Sequence, residues 1–356
     1  MFINLTLIDW YRIHGRALPW RCETDPYTIW LSEIILQQTR VTQGLNYFIK
    51  FKNMFPTVHD LAKASLDEVL KLWQGLGYYT RARNLHATAK LISEEYNGVF
   101  PSTYEELRKL KGIGDYTAAA IVSISYKIPV AVVDGNVLRV LSRIFGIFTP
   151  IDSTDGKKEF ARLAQSLLDI NQPDVYNQAI MDFGALICTP KKAQCADCNF
   201  LEKCYAYQNN CVYQLPVKLD KTKLQTRYFN YLVIRYGNYT FIRQRNEKDI
   251  WHSLYEFPLI ENKTELTVDK ITTLSEWRAI FKGSKPVVTN ISALIKHQLS
   301  HQILWCRFYS IEIEKPAKKL LSDYKGINIG DFEKFSIPRL IEIYMIKYGG
   351  QKFFNL

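Results

Sequence analysis

A chain of 356 residues, 47% hydrophobic and 23% charged, has the length and balance of a soluble globular protein with two or three domains. The formal net charge of +11 favours a polyanionic partner. No apolar run approaches the roughly 18 residues of a membrane span, and the opening MFINLTLIDWYRIHG is too short and polar for a signal peptide, so no membrane is expected. The expectation is a cytoplasmic protein whose seven cysteines do not form a disulfide framework.

Residues 1 to about 210 read as nearly all helix. Apolar residues recur at spacings of three and four in LSEIILQQTRVTQGLNYFIKF, LDEVLKLWQGL, RARNLHATAKLISEEY and GNVLRVLSRIFGI. The stretch DPYTIWLSEIILQQTRV (25–41) predicts a helix with Asp25 and Pro26 as cap and first turn. Trp30, Leu31, Ile34 and Ile35 form its apolar stripe. Glu33 lies beside that stripe, with Gln37 and Arg40 on its own side. Most helical glutamates are simply solvated. A carboxyl at an apolar border, however, has a raised pKa, which suits a general acid.

YEELRKLKG followed by GIGDYTAAAIV reads as helix, tight turn, helix. Gly112 and Gly114 allow φ > 0 and close backbone approach, and the N–H groups at the following helix start suit a phosphate. The spacing is not that of a nucleotide P-loop, and a lone GIG can be a plain helix connection. Asp134 in VAVVDGNVLRVLSR precedes another helix. It reads as an N-cap, and that reading is compatible with a catalytic one, since a helix start holds a carboxylate rigidly and keeps it ionised.

The sharpest local pattern is CTPKKAQCADCNFLEKC, where Cys188, Cys195, Cys198 and Cys204 follow C-x6-C-x2-C-x5-C. Four thiolates in so short a stretch can wrap one metal centre. Zinc and a [4Fe–4S] cluster both accept four cysteines, and thiolate chemistry alone leans to zinc. Cys22, Cys211 and Cys306 stand outside the pattern.

Near residue 212 the texture changes. QLPVKLDKTKLQTR has four basic residues, one acid and a proline, and reads as a linker that could track phosphate or simply stay solvated. Alternating β-rich runs follow, YFNYLVIRYGNYTFIRQR and ILWCRFYSIEI, with YGNY as a turn. SIPRLIEIYMIKY predicts a last helix, with Ser336 as N-cap and Pro338 in the first turn. The fold class is multidomain: an all-α amino-terminal part, then an α+β carboxyl-terminal domain.

The hairpin, Asp134 and the cysteine loop together resemble the helix–hairpin–helix DNA glycosylases related to endonuclease III. Within them, LPWR (18–21), WLSEIILQQTRV (30–41), QGLGYYTRARNL (74–85), VVDGNVLRVLSR (132–143) and YNQAIMDFGALIC (176–188) look like segments of the MutY family of adenine DNA glycosylases. The similarity covers essentially the whole chain, and the LSE-x3-QQT segment is more specific than the hairpin. The resemblance implies a [4Fe–4S] cluster on the four cysteines, which overturns the lean to zinc. It implies a helical glycosylase region over 1–211, comprising a six-helix-barrel part about 21–127 and an iron–sulfur part about 1–20 and 128–211. A linker at 212–226 and a Nudix-like domain at 227–356 would follow.

The substrate so implied is double-stranded DNA with adenine opposite 8-oxoguanine or guanine, taken by a monomer. By the same match Glu33 is the general acid at adenine N7, and Asp134 stabilises the oxocarbenium ion or bonds to it covalently. Tyr116 and Asn136 assist near the sugar and the acid. Trp20, Arg21 and Gln178 match the adenine pocket. Gln38, Thr39, Leu76 and Tyr78 match the group that wedges into the base stack and meets the oxidised guanine. Gly112 and Gly114 hold backbone phosphate. The lyase members carry lysine at the position of Tyr116, so a monofunctional enzyme is expected. KHQLSHQIL (296–304) resembles a guanine-reading loop, with Leu299 where phenylalanine is usual and Ser300 and His301 as readers. A serine there could equally be an ordinary turn residue. The Nudix REx2E cluster is absent, so recognition is expected of that domain rather than hydrolysis. The competing readings are an endonuclease III-like glycosylase/lyase, a G:T thymine glycosylase, and a non-catalytic iron–sulfur DNA-binding module.

Overall fold

The computed structural model describes residues 2–219 and 224–347. Lys221 and Lys223, two of the four basic linker residues, lie outside these, as does Tyr348 at the end of the expected last helix. The chain divides into two compact units, Met1–Ala64 with Arg83–Asp220 and Ser65–Ala82 with Lys221–Leu356. The short stretch 65–82, helical by its sequence, therefore clusters with the β-rich part.

The helices in chain order are α1 (Phe2–His14), α2 (Pro26–Leu36), α3 (Val41–Met54), α4 (Val58–Lys63), α5 (Leu66–Trp73) and α6 (Thr80–Glu95). After them come α7 (Tyr104–Lys109), α8 (Asp115–Ser125), α9 (Gly135–Phe145), α10 (Thr154–Leu167), α11 (Pro173–Leu186) and α12 (Tyr205–Gln208). Three of them have long stretches with no solvated face. Every residue of α2 from Tyr27 to Ile35, of α8 from Thr117 to Ile124 and of α11 from Tyr176 to Gly184 is buried. Helices buried all round belong at the centre of a helical domain. Here α2 packs on α8, α8 on α11 and α11 on α9.

The periodicity over residues 31–51 reads as one helix, but the structure breaks it. Gln37 caps the carboxyl end of α2, and Arg40 is the N-cap of α3. These two residues therefore do not share a helical face with Glu33. Between them Gln38 takes φ 54°. No glycine or proline announces the break, so spacing alone runs straight through it.

The second unit is built on one sheet, ordered β3 (Tyr255–Glu256), β2 (Tyr239–Gln244), β1 (Gln225–Tyr236), β7 (Gln302–Glu312) and β5 (Val287–Ile291). Three short strands join it: β4 (Leu259–Asn262) on β1, β6 (Ile295–Gln298) on β7 and β8 (Lys325–Asn328) on β2. The central pair β1 and β7 is parallel, in register from Gln225 opposite Gln302 to Arg235 opposite Glu312. A parallel pair is covered on both faces and reads as a continuous apolar run. Along β1, Phe229, Tyr231 and Val233 enter one core with α16 (Arg339–Lys347). Leu232 and Ile234 enter another with α14 (Ser275–Ile280) and α15 (Lys318–Asp323). The remaining helix, α13 (Val268–Thr272), contributes Ile271 to that second core. Gly237 takes φ 55° in the two-residue loop between Tyr236 and Tyr239, as the YGNY turn predicts.

Helix α16 starts later than the sequence suggests. Ser336 is buried with its hydroxyl unbonded, and its carbonyl accepts from the Tyr255 amide beside β3. It is therefore not the cap. Pro338 stands before the helix, not in its first turn, and its carbonyl accepts from Ile341 and Glu342.

Candidate active site

Because α2 has no solvated face along this stretch, Glu33 is 7% exposed. The Tyr116 hydroxyl, from the first turn of α8, donates to Glu33 Oε2 at 2.6 Å and lies 3.3 Å from the Met181 sulfur of α11. Burial raises the Glu33 pKa. The Tyr116 hydrogen bond and the Arg21 charge oppose that, and the Asp134 charge adds to it. A cavity of about 540 Å³ has Glu33, Asp134, Tyr116, Asn136, Trp20 and Arg21 among its lining residues.

Asp134 is the N-cap of α9, accepting from the Asn136 and Val137 amides at 2.9 and 2.8 Å and from the Asn136 side chain at 2.8 Å. These bonds fix its rotamer. Burial nonetheless pushes its pKa up, and the hydrogen bonds pull against that shift. The simple expectation that a helix start keeps this carboxylate ionised is therefore only one side of its environment. Asn136 in turn accepts from Arg139 Nη2 at 2.9 Å, while Arg139 Nε donates to the Cys188 carbonyl at 2.7 Å.

Among the other expected residues, Trp20 is buried in the cavity wall and Thr39 lines it. Gln178 is buried outside the lining, where its side-chain carbonyl accepts from the Tyr11 hydroxyl at 3.1 Å. Gln38 does not line it either. In the hairpin only Gly112 uses the left-handed region, at φ 83°, whereas Gly114 is an extended N-cap of α8. A Cβ on Gly112 would fall 2.8 Å from Asn84, but one on Gly114 would meet nothing of the protein. The fold itself does not require glycine at 114.

Leu76 and Tyr78 belong to the second unit, together with Ser300 and His301. Tyr78 is 49% exposed, takes φ 48°, and its hydroxyl is 2.5 Å from Ser300 Oγ. A left-handed non-glycine residue costs on the order of 1–3 kcal/mol, and Gln38 and Tyr78 both carry that strain. Ser300 and His301 form the tip of the three-residue loop between β6 and β7, closed by the Leu299 amide on the Gln302 carbonyl at 2.8 Å. Leu299 packs against the sheet core, which leaves the polar pair outside.

The four patterned cysteines are half-buried, and Cys195, Cys198 and Cys204 each have a thiol pKa raised by burial and then by neighbouring thiols. Arg143, 2% exposed, donates to Cys188 Sγ at 3.4 Å and to the Thr189 and Leu215 carbonyls. A tetrahedral zinc site needs sulfurs about 2.3 Å from one point. Among the described residues no three His, Cys, Asp or Glu side chains converge to hold a single ion.

Sequence reasoning missed several residues that build the site: Met181, Asp182, Gly184 and Arg139. One signal was available. Asp182 interrupts the apolar run AIMDFGALI, and a carboxylate there must be paired to be buried. Gly184 gives no such signal, yet a Cβ there would fall 2.7 Å from Asn136 Cβ. Its hydrogen is what lets α9 present Asp134 beside α11.

The description "HhH-GPD superfamily base excision DNA repair protein" matches residues 31–169, and a NUDIX domain matches residues 230–347. The adenine DNA glycosylase of Buchnera aphidicola subsp. Baizongia pistaciae is 37% identical over 314 residues, covering 87% of this chain and 86% of that protein. The chain belongs to the adenine DNA glycosylase family. Of solved structures, a thermostable thymine-DNA glycosylase aligns at TM-score 0.55 and 29% identity, over 58% of this chain and 96% of its own. An endonuclease III–DNA complex aligns at TM-score 0.51 and 22% identity, over 59% and 96%, and shares the helical fold. The glycosylase fold is thus the endonuclease III-like helical domain joined to a Nudix-like sheet domain, and the enzyme is a monofunctional DNA glycosylase. Among the described residues no helix is long and apolar enough to cross a membrane.

Proposed function

We propose that this glycosylase removes adenine mispaired with 8-oxoguanine or guanine from duplex DNA, acting as a cytoplasmic monomer and leaving an abasic site. The observation that carries the reading is one cavity lined by two carboxyls in different settings. Glu33 is buried and bonded to a phenol, while Asp134 is fixed by a helix start. A buried carboxyl bonded to a phenol suits the acid role, and one held by amide donors suits the anion role.

The target adenine leaves the base stack to reach the cavity. Glu33 transfers its proton to adenine N7, so the electrons of the C1′–N9 bond leave with a neutral base. Asp134 stabilises the oxocarbenium sugar, directly or as a covalent ester, and water adds at C1′, giving its proton to the Glu33 carboxylate and displacing Asp134 where the ester has formed. Tyr116 holds Glu33, and Asn136 holds Asp134. Trp20 and Arg21 form the adenine side; Gln178, expected there, lies outside the cavity lining. Gln38 and Thr39 are the residues of the first unit that enter the stack beside the orphaned guanine; in the second unit Tyr78 is exposed and Leu76 is buried. The turn at Gly112 and the open face at Gly114 suit a backbone phosphate at the start of α8.

The four cysteines suit a [4Fe–4S] cluster: their thiols share one neighbourhood, and buried Arg143 supplies a positive charge and an N–H to Cys188. When bound, such a cluster would serve as a structural centre for the loop. For the carboxyl-terminal domain, recognition fits better than hydrolysis. Glu256, fully buried, is paired with Arg245 at 2.6 Å and Arg243 at 3.1 Å, which leaves that carboxylate occupied by arginines. Ser300 and His301 are the guanine readers.

Single-turnover excision on A:8-oxoguanine, A:G, G:T and thymine-glycol duplexes tests the reading. Adenine release on the first two alone is expected. Thymine release from G:T, or strand cleavage at thymine glycol, would replace it.

A further inference from the structure

The wall of the cavity that carries Trp20 and Arg21 has little secondary structure of its own. Between the end of α1 and the start of α2 the chain forms only one three-residue 3₁₀ turn, Pro19–Arg21. This wall is tied to the helical core by Trp20, whose ring packs edge-on against Phe48 of α3 at 4.9 Å, and by one buried carboxylate. Asp182 of α11, 0% exposed, accepts the Arg16 amide at 3.0 Å, Arg16 Nε at 3.2 Å, Arg16 Nη2 at 2.5 Å and Arg21 Nη2 at 2.9 Å. Two guanidinium groups share one buried carboxylate, so the wall keeps a surplus positive charge. The Arg21 side chain is 11% exposed, and its Nε is buried without a hydrogen-bond partner. A donor fixed and unpaired beside a cavity is prepared for an acceptor that arrives with the substrate.

We propose that Asp182 is the positioning residue of the base pocket, holding Arg21 at the cavity wall and screening its charge from Glu33. Asp182 does not line the cavity, so it acts through Arg21 rather than on the base. The charged and titratable groups acting on Glu33 are Arg21, Asp134 and Tyr116. Those around Asp182 are Arg16, Arg21 and the Tyr11 phenol. With Asp182 uncharged, the Arg21 guanidinium acts on Glu33 at full strength and favours its ionised form. An acid that loses its proton too readily is inactive above a lower pH. The inference rests on the reading of this cavity as the adenine site.

The experiment compares full-length Asp182→Asn, Arg21→Gln, the double variant and Glu33→Gln. Single-turnover excision from pH 5 to 9 is measured beside affinity for a duplex holding an uncleavable adenosine analogue. Asp182→Asn should lower excision at neutral pH by roughly 10–100-fold. The falling limb of its profile should move to lower pH, with much of the rate recovered there. Affinity should change less than the rate. In the Arg21→Gln background the same substitution should cost less than about threefold, the mark of two residues acting as a unit. A uniform loss at every pH with a lowered melting temperature would make Asp182 a fold residue and overturn the proposal. So would an unchanged profile, or full additivity with Arg21→Gln. If Glu33→Gln keeps excision, it is the adenine-site reading that fails. If Glu33→Gln is inactive while Asp182→Asn matches wild type, only the present inference fails.

Discussion

The Tyr116 hydroxyl donates to Glu33 Oε2 at 2.6 Å, and the acceptor is buried. This bond favours the ionised carboxylate, against the upward push of burial. Removing it with Tyr116→Phe should raise the Glu33 pKa further. In the proposed mechanism the active acid is the protonated form, so the excision rate should fall as pH rises through that pKa. The falling limb of Tyr116→Phe should therefore lie at higher pH than that of wild type. Glu33→Gln has no proton to give at any pH, and excision should drop by roughly 10²–10⁴-fold or more while duplex binding persists. A pH–rate profile of the three proteins checks both statements.

In the proposed reading Tyr116 also marks the choice between hydrolysis and strand cleavage. A phenol forms no Schiff base with the sugar, whereas a lysine amine does. Borohydride should trap little covalent complex with wild type, and the product strand should break only after alkali. Tyr116→Lys should gain trapping and some cleavage, read on a denaturing gel. Adenine release without any trapping would mean that position 116 does not face C1′.

Gly184 should tolerate no side chain. An added Cβ would lie 2.7 Å from Asn136 Cβ and 3.1 Å from its carbonyl oxygen, so α9 must shift at the point where it holds Asp134. Gly184→Ala should cost about 1–3 kcal/mol in stability. It should reduce excision more than duplex affinity, because the displaced group is the carboxylate and not a DNA contact. Thermal melting and single-turnover kinetics separate the two effects.

Purified enzyme should be brown, with about four iron atoms per chain and little zinc, as a four-cysteine cluster requires. Cys198→Ser should lose the visible absorption and most of the folded protein. Metal analysis of active, colourless, zinc-loaded enzyme would exclude the cluster.

Much of this protein is legible in its sequence. Local pattern sufficed for the helical texture to about residue 210, for the strands and for the YGNY turn, because period and turn chemistry are local. Gly112, Asp134 as a helix cap and the four cysteines could be picked out from a few neighbouring residues each, since their roles depend on backbone conformation or on spacing along the chain. Glu33 was legible as a carboxyl beside an apolar stripe, although nothing local showed that its helix has no wet face.

Tertiary structure decided the rest. The break at Gln38 is written by packing of α2 and α3 and not by a breaker residue, so periodicity passed over it. Stretch 65–82 reads as ordinary helix and turn, yet it clusters with the sheet. Asp182, Gly184 and Arg139 matter because of residues far away in the chain: Arg16 and Arg21, Asn136, and the Cys188 carbonyl. Charge pairing, close approach and carbonyl capture depend on distances in space, and a sequence records distances only along the chain.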